Sequence, residues 1–289
     1  MRLQLVVNPA AGGGRGARRV PAVEAALSAH DLLVTPTRSL EHADELVAQA
    51  LADGRIPVAM GGDGIVGRVA GACVGAVMGV IPGGRGNDFC RSVGIPLDPV
   101  KACSVLTTGT PQPVDLGYAD GHAFIGIASI GFDSEVQERV LTSKLPLGQL
   151  TYLVGSLATV FSWKPADFSY TADGVAHSLT GWSVAVANTG MYGGGMRLAP
   201  AASVTDGILD VVTSATTSRL TFLRALPKVF KGTHVQEPSV TVGTARTVTL
   251  DASRPFRVFA DGDPIATLPC TITVQPAALQ VILPLVRPR

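Results

Sequence analysis

Two short glycine-rich stretches, each carrying one aspartate, have the residue types to hold a phosphate and its counter-ion. The first is Gly61-Gly62-Asp63-Gly64 and the second is Pro82-Gly83-Gly84-Arg85-Gly86-Asn87-Asp88. Glycine lets the main chain approach an anion closely and turn its N–H groups toward it, and a following helix adds its positive end. Asp63 and Asp88 suit a metal-bound phosphate better than a bare one, because hard cations take carboxylate oxygens. An apolar run leads into each loop, over residues 56–60 and 76–81, and the small residues of 65–75 fit a helix between them. Two apolar strands that each stop at a glycine turn predict a parallel sheet with its ligand beyond the strand ends. Either loop alone reads better as a tight turn capping a buried strand. The pair favours a ligand.

Stepping outward, the elements around these loops set the class of fold. The chain has 289 residues, enough for a large core and two domains. With 23 basic and 22 acidic side chains, net charge gives no indication of nucleic-acid binding. The four cysteines (Cys73, Cys90, Cys103, Cys270) show no paired spacing, so neither a disulfide framework nor a zinc site is expected. Residues 69–84 form an uncharged run that is too short and too rich in glycine to span a membrane, which takes roughly 20 apolar residues. The start of the chain enters a strand pattern directly, without a signal-peptide layout.

Strands are predicted over 3–7 and 32–35, with helices over 17–29, 43–52 and 99–107. The turn cluster Thr108-Gly109-Thr110-Pro111 marks a boundary, after which the pattern becomes strand-rich. A hairpin over 113–118 and 122–129 turns at Asp120-Gly121, and another turns at Asp173-Gly174. Helices are expected over 131–141 and 148–161, the second with Leu150, Leu153, Val154, Leu157, Val160 and Phe161 at helical spacing. Strands follow over 182–187, 247–250, 257–260, 271–274 and 279–286, interrupted by a helix over 219–231. The expected architecture is an α/β N-terminal domain (1–110) with a parallel sheet and glycine-rich loops. A β-rich, β-sandwich-like C-terminal domain (111–278) follows, with a cleft between the two.

The paired loops resemble the diacylglycerol kinase family of lipid kinases. In that family Gly-Gly-Asp-Gly is followed about twenty residues later by Pro-x-Gly-Thr-x-Asn-Asp-Phe, here Gly61 to Gly64 and Pro82 to Phe89. Ile65 and Arg85 stand where the family usually has threonine. Asn8-Pro9-Ala10-Ala11-Gly12 resembles the family's opening Asn-Pro-x-Ser/Ala-Gly, and Thr37 matches a threonine placed near the nucleotide, although it also reads as a turn or helix-entry hydroxyl. The resemblance implies ATP and Mg2+, with the nucleotide against Asn8, Pro9, Ala10, Ala11, Gly12 and Thr37 from the first two strand ends. Gly61, Gly62, Asp63 and Gly64 would contribute from the third, and Gly83, Gly84, Arg85, Asn87 and Asp88 from the fourth. A guanidinium at Arg85 can bind phosphate oxygens in a bidentate manner, which threonine cannot.

The resemblance extends over nearly the whole chain. Asn188-Thr189-Gly190-Met191-Tyr192-Gly193-Gly194-Gly195 is similar to the family's Asn-x-x-x-x-Gly-Gly-Gly. The segment 199–210 is similar to one that carries a structural magnesium, implying Asp206 as side-chain ligand with carbonyls of Ser203 and Ile208. Asp261-Gly262-Asp263 corresponds to the family's Asp-Gly-Glu, which supplies the acid that deprotonates the lipid hydroxyl. Here that acid is one methylene shorter, and either Asp261 or Asp263 fits the role. Asp-Gly is also the usual choice for a type I′ hairpin turn. The resemblance further implies that the strand over 279–289 returns to the first domain.

The function so implied is transfer of the γ-phosphate of ATP to a lipid hydroxyl, on diacylglycerol or a sphingoid-type lipid, with Asp63 and Asp261 or Asp263 in catalytic roles. An NAD kinase-like enzyme would be expected to carry an Asn-Glu pair after the first glycine motif, and this chain has no such dipeptide. A non-catalytic nucleotide or lipid binder stays open because of Ile65, Arg85 and Asp263. The expected setting is cytoplasmic, peripheral at the inner face of the membrane, and a homodimer stays open. Arg224, Lys228 and Lys231 fall on one face of the 219–231 helix with Leu220, Leu223 and Phe230 nearby, which fits either docking on anionic lipid or a helix covering the β-domain with a solvated basic edge.

Overall fold

The computed structural model describes residues 1–142 and 158–285. Four parallel strands open the chain: β1 (Arg2–Val7), β2 (Asp31–Pro36), β3 (Ile56–Gly61) and β4 (Val77–Pro82), in the order β2-β1-β3-β4. Alternation of side chains decides which helix covers which face. Leu3, Leu5 and Val7 point to α1 (Arg15–Ala26) and α5 (Pro99–Thr108), while Val6 points to α2 (Leu40–Ala52) and α3 (Asp63–Ala72). Polar caps set where these helices begin. The Ser39 hydroxyl accepts the His42 N–H at 3.2 Å, so α2 starts three residues before the predicted 43. Asp98 accepts the N–H groups of Val100 and Lys101, both at 3.0 Å, ahead of Pro99 in the first helical position. The short α4 (Asp88–Val93) follows the second glycine loop directly.

The second half is antiparallel. Its strands are β5 (Thr110–Ala119), β6 (His122–Phe124), β7 (Ile127–Gly131), β8 (Ala166–Ala172), β9 (Val175–Ala187), β10 (Leu209–Ala215), β11 (Val240–Ala245), β12 (Thr247–Ala252), β13 (Arg257–Ala260), β14 (Asp263–Thr267) and β15 (Cys270–Leu283). Helices α6 (Phe132–Thr142) and α7 (Arg219–Lys231) accompany them. The strand segments predicted over 271–274 and 279–286 belong to one strand, β15, which ends at Leu283 (residue 286 lies outside the described residues) and bends at a register shift between Gln275 and Leu279 where Ala277 takes φ 47°. Before the bend β15 pairs with β12; after it β15 lies parallel to β4, and β5 runs antiparallel to it on both sides of the bend. The predicted second strand of the first hairpin is likewise broken, into β6 and β7, at Ile125-Gly126. Of the helix predicted over 148–161, residues 148–157, with Leu150, Leu153, Val154 and Leu157, lie outside the described residues. Residues 158–162 are helical, with Val160 buried and Phe161 exposed.

An aromatic cluster fills the second core. Trp182 stacks on Phe222 of α7 at 3.8 Å between centroids and meets Phe132 edge-on at 5.6 Å. Trp163 stacks beyond it at 6.0 Å. Removing a fully buried indole forfeits its transfer energy and leaves a cavity. Trp182→Ala is expected to lower stability by about 3–5 kcal/mol, read as a fall in the urea midpoint. A loss below ~1 kcal/mol would show that the cluster does not carry this core.

Candidate active site

The three glycine-bearing loops lie together at the carboxyl ends of β1, β3 and β4. Asn8 N–H donates to Met60 O at 3.0 Å, and Gly83 N–H donates to Gly61 O at 2.7 Å, tying neighbouring loop starts. Within the first loop, Asn8 Oδ1 accepts the Ala10 N–H and its main-chain carbonyl accepts the Ala11 N–H. Pro9 and Ala10 form the exposed rim. Thr37, at the end of β2, is buried and donates its N–H to Val7 O at 2.7 Å. In the last loop Asn87, at φ 53°, accepts the Gly84 N–H at 2.9 Å and donates back to Gly84 O at 3.2 Å. The loops meet back to back so closely that a Cβ on Gly84 would sit 2.3 Å from the Cα of Gly62. Arg85 is exposed and reaches over the first loop, its Nη2 3.6 Å from where a Cβ on Gly13 would be. A cavity of about 290 Å³ opens beside these loops, lined by Arg15, Arg18, Arg19, Gly83, Gly84 and Asn87 among others.

Four carboxylates converge on the first turn of α3. Asp63 is its first residue, at the positive end of the helix, and accepts the Phe89 N–H at 3.1 Å. Asp88 accepts the N–H groups of Gly194 at 2.8 Å and Gly195 at 2.7 Å, one on each oxygen. Both carboxylates come within 3.0 Å of the place a Cβ on Gly86 would take, so they are neighbours. Desolvation and the charge of Asp88 push the Asp63 carboxyl up to about 6, and desolvation also raises Asp88. Arg91 answers part of this charge. Its Nε lies 4.0 Å from Asp88 and donates to Gly86 O at 3.0 Å. Arg91 went unflagged in the sequence, although its place three residues after Asp88 on a helix is the signal for such a pair.

Asp261 and Asp263 come from the β13–β14 hairpin, and the structure separates them. Asp261 (φ 55°) and Gly262 (φ 95°) form the two-residue turn expected of Asp-Gly. Both oxygens of Asp261 are held, by the N–H groups of Ile125 and Gly126, each at 2.9 Å. Those two amides are free to donate because the strand is broken between β6 and β7. Desolvation pushes the Asp261 carboxyl up to about 7, against the pull of the two amides. Asp263 has no hydrogen bond to its carboxyl among the described residues. Its Oδ2 lies 2.7 Å from where a Cβ on Gly64 would be, at the start of α3, and desolvation raises its pKa. A glycine face of α3 permits this approach: a Cβ on Gly67 would sit 2.3 Å from Asp261 Oδ2, and one on Gly71 would sit 2.8 Å from Ala123.

Asp206, Ser203 and Ile208 share one exposed turn away from these carboxylates in sequence. Asp206 accepts the Ile208 N–H at 3.2 Å, and Ser203 and Thr205 pair their hydroxyls at 3.2 Å. Asp115, buried, accepts the N–H groups of Gly207 at 2.8 Å and Ala277 at 2.7 Å, which anchors the turn to the bend of β15. The Asp210 carboxyl is pushed up to about 6 by desolvation and then by Asp206. A turn rich in oxygen donors, with two mutually repelling carboxylates, fits a hard cation. Among the described residues no three His, Cys, Asp or Glu side chains gather as a metal cluster, so such an ion would depend on main-chain oxygens and water.

Comparison with known proteins gives one consistent result. Residues 2–119 match the diacylglycerol kinase catalytic domain, and residues 126–283 match the YegS C-terminal NAD kinase beta sandwich-like domain. A diacylglycerol kinase of Mycobacterium tuberculosis (strain CDC 1551 / Oshkosh) is 32% identical over 295 residues, covering 98% of this chain and 95% of the relative. That of Bacillus subtilis (strain 168) is 28% identical, covering 81% and 80%. A crystal structure from Bacillus anthracis str. Sterne, of a protein assigned as a diacylglycerol kinase, shares the fold with a TM-score of 0.81 at 24% identity, covering 98% of this chain and 95% of that one.

The loop that supplies the Gly194 and Gly195 amides is braced from behind by His234, whose Nε2 is 3.1 Å from Leu198 O. Burial holds the His234 imidazole below its ordinary pKa. The unfolded chain therefore takes up this proton first as pH falls, and the folded state loses stability below about 6.5. His234→Gln is expected to lose less melting temperature than the natural chain between pH 7 and pH 5. Parallel curves for the two would show that His234 does not titrate in this range.

Proposed function

The chain belongs to the diacylglycerol kinase family of ATP-dependent lipid kinases, and from that membership we propose that the converging carboxylates form its phosphoryl-transfer centre, with diacylglycerol as the acceptor. The observation that carries the reading is the meeting of Asp63 and Asp88, at the glycine loops, with Asp263 on a hairpin from the other half of the chain. N–H groups of the loops at Asn8, Gly61 and Gly83 hold the phosphates, and Arg85 adds a guanidinium from the rim. Asp63 and Asp88 repel each other, with Arg91 paired to Asp88, which fits Mg2+; when bound there it would neutralise the charge of the triphosphate. The turn at Asp206, with Ser203 and Ile208, would hold a second, structural ion.

Asp263 is the base. Its carboxyl has no hydrogen bond among the described residues, and desolvation raises its pKa, which makes it a better proton acceptor than an ordinary aspartate. It takes the proton of the lipid hydroxyl as that oxygen attacks the γ-phosphorus and the bond to ADP breaks. Asp261, with both oxygens on main-chain amides, fixes the hairpin that presents Asp263. Asp263→Asn should cut kcat by at least ~10²-fold while leaving nucleotide binding intact, and Asp63→Asn should abolish transfer in a folded protein. Near-normal turnover in either variant, measured as lipid-dependent ADP release, would sink the assignment.

The acceptor resides in a bilayer, and no helix among the described residues is long and apolar enough to cross one. We place the docking surface on the outer face of α7. Phe222 and Leu223 pack inward, leaving Leu220 57% and Phe230 56% exposed beside the exposed Arg224 and Lys231. The expected stripe of three cations is interrupted, since Lys228 is paired with Glu237. Arg219, in the first turn, donates to Trp163 O at 3.3 Å and is therefore not part of this face. Apolar side chains and cations on one outward face suit an anionic lipid surface, at about 1 kcal/mol per basic residue. Arg224→Glu with Lys231→Glu should weaken sedimentation with phosphatidylglycerol vesicles and slow turnover on them, while sparing turnover on detergent-dispersed diacylglycerol. Equal turnover of natural and doubly substituted protein in both formats would move the docking surface elsewhere.

A further inference from the structure

The loop between β9 and β10 holds Asp88 with two main-chain amides, yet is built from residues that fix themselves poorly. Gly193, Gly194 and Gly195 take φ values of 61°, 88° and 107°. Three consecutive glycines lose more conformational freedom on ordering than any other tripeptide. Something must hold the loop while Gly194 and Gly195 donate to the two oxygens of Asp88. Two features do so. Tyr192 and Met196 close the triplet with a pair of N–H to carbonyl bonds, each 2.9 Å. The Tyr192 hydroxyl then donates to Asp133 Oδ1 at 3.1 Å.

The choice of acceptor is informative. A half-buried phenol favours a hydrogen-bond partner, but a main-chain carbonyl would serve. Here the partner is a desolvated carboxyl at the start of α6, whose other contact is the Ser183 hydroxyl rather than a cation. Desolvating a carboxylate costs free energy that simple packing does not require. In return a carboxylate offers the phenol a stronger acceptor than a neutral carbonyl, although at 3.1 Å this bond is longer than charge-assisted O–H···O⁻ bonds usually are. The far side of the loop is tied by Arg197 N–H donating to Val229 O at 2.9 Å, and Tyr192 anchors the near side to α6 through Asp133.

We propose that Tyr192 and Asp133 are positioning residues for Asp88: their bond holds the glycine triplet so that two amides meet the Asp88 carboxylate at the angle phosphoryl transfer requires. The proposal rests on Asp88 acting in that transfer. Neither residue touches the reacting atoms. Their loss should therefore leave nucleotide binding nearly intact and appear in kcat and in the Mg2+ concentration needed for half-maximal rate.

The test uses the full chain with MgATP and dioctanoylglycerol in mixed micelles, together with amide hydrogen exchange of the unliganded protein. Tyr192→Phe keeps the ring and removes only the hydroxyl. It should lower kcat by about 10- to 100-fold, as loss of an outer-shell partner does, with KM for ATP and melting temperature close to those of the natural chain. Exchange over residues 193–195 should quicken. Asp133→Ala should match it, the pair combined should be no worse than either alone, and Asp133→Asn, which keeps an acceptor oxygen, should retain most of the rate. Tyr192→Phe with natural kcat, or with reduced kcat and unchanged exchange over 193–195, overturns the clamp. Should the natural chain fail to phosphorylate dioctanoylglycerol, the functional reading falls instead, and the exchange rates still judge whether Tyr192 and Asp133 hold the loop.

Discussion

Four carboxylates gathered at the start of one helix, with Arg91 the guanidinium that pairs with one of them among the described residues, are the constraint to which the rest of this molecule answers. Asp63, Asp88, Asp261 and Asp263 repel one another, and removal from solvent lifts Asp63 to about 6 and Asp261 to about 7. Arginines in the usual ion pairs would settle the charge but would occupy the cleft. Main-chain amides do the work instead: Phe89 for Asp63, Gly194 and Gly195 for Asp88, Ile125 and Gly126 for Asp261. An amide donor takes no side-chain volume and leaves the remaining lone pairs of each carboxylate available to a cation and its phosphates. Each such donor must be freed from sheet or helix pairing, and the irregular places in the fold are where this happens. The strand break between β6 and β7 frees two, and the glycine triplet frees two more.

These donors come from different halves of the chain, so the halves must hold a fixed relation. β15 and β5 supply it. They remain paired on both sides of the bend at Ala277, the first part of β15 lying beside β12 and the last part beside β4. The bend is secured by the buried Asp115 of β5, which binds the amide of Ala277 on one oxygen and that of Gly207 on the other. A shift in this strand pair would carry the β13–β14 hairpin, and Asp263 with it, away from the loops after β3 and β4. The turn at Asp206 lies against the same anchor, so a cation there would bear on the alignment of the halves without touching the phosphates.

Much of this was legible in the sequence, for local reasons. Glycine loops after apolar runs announce a parallel sheet and its ligand side, and Asp-Gly pairs announce hairpins. The three Asp-Gly pairs that sit at hairpin turns take positive φ at both positions, at Asp120, Asp173 and Asp261. What was not legible depends on contacts distant in sequence. The segments over 271–274 and 279–286 look like two strands because the bend between them carries Pro276 and small residues, and only pairing with β5 joins them. The different fates of Asp261 and Asp263 depend on amides more than a hundred residues earlier. The Tyr192–Asp133 bond crosses 59 residues and leaves no periodicity for a sequence pattern to reveal. The extra turn of α2 was missed for a smaller reason, the cap at Ser39.

The three Asp-Gly turns also explain how a shorter acid can stand where relatives of this fold use a longer one. In each turn the aspartate reaches past its own hairpin to a neighbouring main chain: Asp120 to Thr271, Asp173 to Arg246 and Thr247, Asp261 to Ile125 and Gly126. The turn residue is therefore a docking device, and in the third case it draws the β13–β14 hairpin down onto α3. Helix α3 meets it with glycines at 64 and 67, while Gly71 on the same face meets Ala123 of β6; each glycine costs helix stability of roughly 0.5–1 kcal/mol relative to alanine. With side chains on that face the hairpin would ride higher, and a carboxylate on a single methylene would stop short of the first turn of α3. Because the face is bare, Asp263 lies against Gly64 and beside Asp63 without the extra methylene. The lost reach of the side chain is made up by the closer approach of the backbone.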